Sequence, residues 1–140
     1  INTLQLRNLL EQHDAVVVAP ITHNGEGQLL NTNADTIAQE LARDASSFVD
    51  TTLIYCFEKK GVLKDTNDES SVIRQITPNS YLQLKQEQLN NKPIISEGMI
   101  PKIENALKAV HQGVVRVIIG QAQEIELLIN GNAGTVLQNE

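Results

Sequence analysis

Aromatic residues are scarce in this 140-residue chain, making up only 3% of it, and tryptophan is absent. The hydrophobic fraction is nevertheless 41%, which is ample for a core and excludes a disordered chain. That core has to be built from Ile, Leu, Val and Ala, which are typical of parallel strands buried between layers of helices. The length predicts one domain or a piece of one.

Cysteine is almost missing as well, because Cys56 stands alone and an internal disulfide is therefore excluded. Cys56 lies in an apolar run, so we expect a small buried residue in a reducing compartment, the cytoplasm. No apolar run is long enough to span a membrane, and no signal-peptide pattern is present. The chain begins at Ile1 without an initiator Met, which suggests a fragment or a processed product.

The formal net charge is −6, and the sequence contains no block of like charges. This balance argues against a nucleic-acid surface, although it is compatible with a local cationic pocket. His13, His23 and His111 lack the spacing of metal ligands, and there is no cysteine cluster, so a zinc or iron site is not expected. The glycine-rich phosphate loops of P-loop and dinucleotide-binding proteins are also missing.

Apolar runs and helical stripes alternate along the chain, which predicts an α/β sheet with mainly parallel strands. The predicted strands are residues 15–21, 28–31, 51–57, 114–119, 124–129 and 135–137. Continuous apolar composition indicates that residues 15–21, 51–57 and 114–119 are strands buried on both faces. Helical patterns occupy residues 4–10, 34–42, a segment that starts at Pro78, and residues 99–113.

Two short motifs lie where helices begin. Asn31-Thr32-Asn33-Ala34-Asp35 follows a predicted strand, and Gly98-Met99-Ile100-Pro101-Lys102 opens the helix that ends near Gly113. A lysine in the first turn opposes the positive end of the helix dipole, and a phosphate or other anion bound at the helix start would explain it. Ligands of α/β sheets bind beyond the carboxyl ends of the strands, so we expect the two motifs to meet there.

Each of these residues also has a purely structural interpretation. Asn33 can be the N-cap of its helix, and Asp35 can be an acidic residue that stabilises the first turn. From the residues alone the two interpretations of Asp35 are about even, whereas the Gly-Met before Lys102 favours a functional lysine. Glu58 can be a solvated carboxylate paired with Lys59 or Lys60.

Five segments together resemble a known family. They are Ala19-Pro20-Ile21, residues 27–36, Lys60-Gly61-Val62-Leu63, Gly98-Met99-Ile100-Pro101-Lys102 and Gly134-Thr135. Their order and spacing are similar to those in the C-terminal, nucleotide-binding half of N-acetylglutamate kinases, which belong to the amino-acid kinase family. The resemblance covers residues 1–140 and implies a three-layer αβα sandwich with a mainly parallel open sheet, the carbamate kinase-like fold.

The resemblance also implies a reaction and its residues. Such kinases transfer the γ-phosphate of ATP to the side-chain carboxylate of an N-acylated glutamate in arginine biosynthesis, with Mg²⁺ bound through the nucleotide. Asn31 and Asn33 would bind this substrate, Asp35 would organise the site by hydrogen-bonding lysines, and Lys102 would stabilise negative charge on the transferred phosphoryl group. The residues expected to border the nucleotide are Glu58, Lys59, Lys60, Gly61, Val62, Leu63, Ile94, Ile95, Ser96, Gly98 and Met99.

The sequence departs from this family in two respects. Glu58 stands where the family has Asp in a Thr/Ser-Asp-Val-x-Gly segment. The N-terminal half of such kinases, with a further phosphate-binding lysine, glycine-rich loops and a substrate-clamping arginine, is not in this chain. We therefore expect the isolated chain to be inactive, with that half as its partner and a homodimer or larger homo-oligomer at full length. Two alternatives remain open: a non-catalytic nucleotide-binding or regulatory module, and a related kinase that acts on a different acid.

Overall fold

Helices and strands alternate along most of the chain. The structure is a computed structural model that describes residues 1–89, 95–96 and 98–140. The helices are α1 (Thr3–Gln12), α2 (Ala34–Ala45), α3 (Pro78–Leu89), α4 (Ile100–His111) and α5 (Ile125–Ile129). The strands are β1 (Ile21–His23), β2 (Leu29–Asn31), β3 (Thr52–Phe57), β4 (Gln75–Ile76), β5 (Arg116–Gln121) and β6 (Thr135–Leu137). A 3₁₀ turn, Ala122–Glu124, leads into α5.

Four of the strands form one sheet in the order β3-β5-β6-β4. β3 runs parallel to β5 over six residues, β4 runs parallel to β6, and β5 and β6 are antiparallel. β1 and β2 form a separate antiparallel hairpin. The sheet is therefore mainly parallel, as the sequence predicts.

β5 lies inside the sheet and has helices on both of its faces. Val117 and Ile119 belong to a large core beneath α2 and α4, whereas Ile118 faces a second, smaller cluster with Leu128 of α5. Successive side chains of a strand point to opposite faces, so consecutive apolar residues fill two cores at once. Each side chain of this size stabilises the fold by about 1.5–3 kcal/mol when fully buried. This arrangement confirms the three layers.

The helical stripe predicted at residues 99–113 is confirmed in α4. Ile103, Ala106, Ala109 and Val110 are buried, and they fall at the spacing of one helix face. The helix stops before Gly113, whose φ of +109° is the left-handed conformation that glycine adopts readily. The small side chains of Ala106 and Ala109 allow this helix to lie close to the sheet.

Two helices place their first turns at the same edge of the sheet. α2 precedes β3 and α4 precedes β5, and the two strands are parallel. A helix that returns across a sheet before a strand starts at the carboxyl end of that strand. The hydroxyl of Tyr55, near the end of β3, accordingly lies 3.4 Å from the backbone oxygen of Asp35 in the first turn of α2.

The interpretation of residues 15–21 as a strand buried on both faces is wrong. Regular pairing starts only at Ile21, and Val17 is 96% exposed. Val16 and Val18 line cavities together with residues of α1, α2 and the start of β3, whereas the side to which Val17 points is open. Apolar composition can show that a segment is suited to burial, whereas burial itself requires elements that pack on both faces.

Residues 51–57 contain the predicted strand, but the prediction that this strand is buried on both faces is wrong. β3 is an edge strand of the described sheet, and its burial alternates. Leu53 and Tyr55 are buried beneath the helices, while Cys56 points to the other face and is exposed. The expected buried role of Cys56 is therefore also wrong, because the second face of β3 is left largely open.

Residues 124–129 form the end of a 3₁₀ turn and α5 instead of the predicted strand. Short apolar runs do not distinguish a strand from a helix by periodicity alone. Leu128 alone is fully buried here, whereas Ile125, Leu127 and Ile129 are exposed. A helix presents Leu128 to the sheet, and the next segment returns as β6.

Leu128 packs tightly against Gly120 and Gly134, which leave room for it because they have no side chains. A Cβ on Gly134 would lie 2.7 Å from the backbone oxygen of Ile119 and 2.7 Å from a Leu128 methyl carbon, and Gly134 has a φ of +76°. We expect Gly134→Ala to lower the free energy of unfolding by roughly 2–4 kcal/mol, because backbone strain and overpacking add. Urea denaturation measures this change.

Gly25 provides the matched control, because its φ is +86° and nothing lies within 4 Å of a Cβ built there. Gly25→Ala should cost only the backbone strain, about 1–2 kcal/mol. Equal losses in the two variants would contradict the tight packing around Gly134.

A second prediction concerns the fully buried Thr135 on β6. Its hydroxyl oxygen accepts a hydrogen bond from the backbone N–H of Val62 at 2.8 Å. Thr135→Val keeps the shape but leaves that N–H without its partner, so we expect a loss of about 1–3 kcal/mol in the free energy of unfolding. Thr135→Ser retains the hydroxyl and should be the milder change; the opposite ranking in a urea titration would contradict this role.

Candidate functional site

An ion pair joins the first turns of α2 and α4. Lys102 Nζ lies 2.6 Å from Asp35 Oδ2, and the two side chains are 27% and 41% exposed. Pairs this accessible to solvent contribute only about 0–1 kcal/mol to stability. Lys102 also stands at the positive end of the α4 dipole, where a cation is unfavourable. The pair therefore positions charge at this edge and adds little to the fold.

Asn33 and Asn31 flank Asp35 on the chain but have different surroundings. Asn33 is the N-cap of α2, because its side-chain oxygen accepts a hydrogen bond from the Thr36 N–H at 3.2 Å. Asn33 is exposed, so its amide NH₂ group is accessible as a donor. Asn31 ends β2 opposite Ile21 and is exposed to solvent.

Two aromatic rings lie beneath the ammonium group of Lys102, a feature that the sequence analysis missed. Lys102 Nζ is 5.3 Å from the centre of the Phe57 ring and 5.9 Å from that of Tyr55. Burial, together with the nearby negative charge of Asp35, raises the pKa of Tyr55 to about 12, so it stays a neutral phenol at physiological pH. The i, i+2 spacing of the two rings on one strand was the available signal.

A cavity of about 220 Å³ opens beside these rings. It contains six of the residues expected to border a nucleotide, together with Phe57 and Thr66, which were not expected. The six are Glu58, Lys59, Leu63, Ile95, Ser96 and Met99. The cavity thus brings the end of β3, the loop after it and the segment before α4 to one place.

Four other residues expected at the nucleotide do not line this cavity. Gly61 and Val62 are buried, and the N–H of Val62 is bonded to Thr135. Gly98 is exposed, while Lys60 lines a different cavity. Ile94 is outside the described residues.

Charges around the cavity are partly paired. Lys59 Nζ lies 3.8 Å from Glu69 Oε1, so the ion-pair partner of Lys59 is Glu69. The exposed Glu58 accepts a hydrogen bond at its backbone oxygen from the Gln121 side chain at 3.3 Å. The mouth of the cavity therefore combines acidic and basic groups, and Lys102 stands beside the shared wall, Phe57.

A larger cavity of about 430 Å³ lies next to α5 and is lined by Lys60, Arg74, Glu69 and Glu124 among others. It contains neither Lys102 nor Asp35, so its size alone does not make it the reaction site. Among residues 1–89, 95–96 and 98–140, no three His, Cys, Asp or Glu side chains are grouped to hold a metal ion. Nor does any described helix have the length and apolarity to cross a membrane.

The arrangement suits the recognition of an anion. A reachable ammonium group is held between a carboxylate and two ring faces, at a helix start and beside a partly apolar cavity. Such a geometry can receive a phosphate on the charged side and an apolar or planar group in the cavity.

Known proteins share both the sequence and the fold. An acetylglutamate kinase of Phocaeicola vulgatus is 46% identical over 138 residues, which are 99% of this chain and 50% of that protein. The chain thus spans about half the length of the curated relatives it matches. The solved Streptococcus mutans protein smu.665 is 31% identical with a TM-score of 0.69, covering 99% of this chain and 48% of its own.

A carbamate kinase from Giardia lamblia, solved with AMP-PNP, shares the fold at a TM-score of 0.61 and 13% identity, over 86% of this chain and 41% of that one. The family model described as the amino acid kinase family matches residues 1–121. A match over most of the chain, together with a mainly parallel three-layer fold, shows that the chain belongs to the amino acid kinase family.

Proposed function

We propose that this chain is the nucleotide-binding, C-terminal half of a kinase that phosphorylates the side-chain carboxylate of an N-acylated glutamate. The observation that supports this proposal most directly is the ion pair beside the 220 Å³ cavity, in which Lys102 Nζ lies 2.6 Å from Asp35 Oδ2. The 46% identity to an acetylglutamate kinase supports the acceptor. ATP is the phosphoryl donor, and ADP is the product.

Lys102 contributes charge in this reaction. Phosphoryl transfer depends mainly on positioning and on stabilisation of charge spread over the transferred oxygens. The Lys102 side chain, in the first turn of α4, is 27% exposed, and its ammonium group can reach such oxygens while the backbone stays in place. Asp35 holds the ammonium group in position, and a phosphate can replace Asp35 as the partner of that group.

The cavity receives the nucleotide side. Its apolar lining from Phe57, Leu63, Ile95 and Met99 suits a planar base, and Ser96 and Lys59 offer polar contacts at its rim. Magnesium arrives with the phosphates, because it keeps phosphate and water oxygens as ligands. The acyl-amino acid lies near Asn31 and the amide of Asn33, at the start of α2.

The rest of the kinase covers the exposed apolar segment that leads into β1 and includes its first residue. Val17, Val18 and Ile21 are 96%, 48% and 58% exposed, and this is an unfavourable state for a run of adjacent apolar side chains. The relatives are about twice as long as this chain, so they contain further residues that can pack on this apolar surface. Phosphoryl transfer and any homo-oligomer therefore belong to the longer protein.

Binding of magnesium–ADP to this chain tests the proposal, with Lys102→Ala as the variant. We expect saturable binding by isothermal titration calorimetry and at least about tenfold weaker binding in the variant, since hydrogen bonds to charged groups contribute about 1.5–3 kcal/mol. Lys108→Ala is the matched control, because it removes the same charge from an exposed position in the last turn of the same helix.

Equal affinity in the Lys102→Ala variant, or an equal loss in Lys108→Ala, would contradict the role assigned to Lys102. A folded chain that does not bind magnesium–ADP would contradict the assignment of the nucleotide to this half. Far-UV circular dichroism confirms that each variant is folded.

A further inference from the structure

Among the residues that the structure describes, Phe57 is the side chain that both lines the cavity and lies under the Lys102 ammonium group. Its ring forms part of the cavity wall, and the same ring lies 5.3 Å from Lys102 Nζ. Tyr55, two residues earlier on the same face of β3, lies 5.9 Å from that nitrogen. The Tyr55 ring is buried and its hydroxyl lies 3.4 Å from the backbone oxygen of Asp35.

We propose that Phe57 and Tyr55 form an aromatic floor that positions the Lys102 ammonium group for anion binding, with Phe57 as the positioning residue that links it to the cavity. This inference deepens the proposed nucleotide-binding function and rests on it.

Asp35 alone does not fix the ammonium group. A lysine side chain has four rotatable bonds, and one contact with a single carboxylate oxygen leaves it free to pivot around that oxygen. A cation within about 6 Å of a ring centre is attracted to the ring face. The two rings attract the ammonium from the side of the sheet, while Asp35 attracts it from the start of α2.

An aromatic floor also has an electrostatic advantage over a second carboxylate. The ring face attracts a cation through its quadrupole and carries no formal charge. Within the described part of the chain, Asp35 is the only carboxylate that pairs with Lys102, so the pair is neutral and does not repel an incoming phosphate. A second carboxylate in the place of Phe57 would make the group negative and oppose that approach.

The strand holds the rings firmly enough for this purpose. β3 pairs with β5 over its whole length, with Phe57 opposite Gln121 and Tyr55 opposite Ile119. Tyr55 belongs to the large core, and Phe57 packs against the edge of that core. The floor is thus fixed by the sheet, and the lysine is the mobile partner.

The simpler interpretation is that Phe57 merely packs against the core, and a double-mutant cycle separates the two. Phe57→Leu keeps an apolar side chain but removes the ring face, and Phe57→Tyr keeps the ring. We expect Phe57→Leu to weaken magnesium–ADP binding roughly two- to fivefold, the size of an exposed cation–π contact. In the Lys102→Ala background the same change should weaken binding by a smaller factor, because only the contact of Phe57 with the nucleotide as part of the cavity wall is then left to lose.

A second readout does not depend on nucleotide. In a chain with ¹³C-labelled lysine, the ε-methylene signals of Lys102 should be displaced by the ring currents, whereas those of the exposed Lys108 should not. Phe57→Leu should move the Lys102 signals toward those of Lys108, and Phe57→Tyr should leave them in place.

The outcomes separate this inference from the proposed function. The aromatic floor is supported if the Lys102 signals are displaced in the unsubstituted chain and move toward those of Lys108 in Phe57→Leu, and if the double-mutant cycle is non-additive. Lys102 signals that match Lys108 in the unsubstituted chain overturn it, even if Phe57→Leu does not fold. An additive cycle overturns it too. Displaced signals in a chain that does not bind magnesium–ADP would support the ammonium's placement and overturn the nucleotide-binding function.

Discussion

The parallel pairing of β3 with β5 is the constraint on which the rest of the structure depends. It aligns the carboxyl ends of two strands, and each strand is preceded by a helix that starts at that end. The first turns of α2 and α4 are therefore neighbours, although Asp35 and Lys102 are 67 residues apart in sequence. The same pairing turns Tyr55 and Phe57 toward these helices. The hydrogen-bonded pairing of these two strands thus brings together the carboxylate, the ammonium group and the ring faces.

Much of this arrangement could be predicted from local pattern. The cap at Asn33, the buried stripe of α4 and its end at Gly113 each follow from a physical rule that acts over a few residues. The meeting of Asp35 and Lys102 needed one further step, the rule that functional groups gather at the carboxyl ends of parallel strands. The roles of the two Asn residues and of the nucleotide-side residues stay predictions.

Other features could not be predicted because they depend on what packs against a segment. Residues 15–21 have the composition of a buried strand, yet Val17 is almost fully exposed since the described elements cover one side only. Residues 124–129 are helical, and Leu128 fills the space beside Gly120 of β5 and Gly134, the residue before β6. The aromatic rings were missed for a different reason: their meaning appears only once α4 lies across β3.

Stability and candidate function are carried by different atoms in this chain. The exposed pair of Lys102 and Asp35 contributes about 0–1 kcal/mol, far too little to hold α2 against α4. Burial of Ala42, Ile103 and Ala109 between these helices and the sheet supplies that association. Because the fold does not depend on the pair, an anion can replace Asp35 as the partner of Lys102 without loosening the helices. The Lys102 ammonium group can therefore change its partner when a ligand binds, because its charge is not needed to hold the fold together.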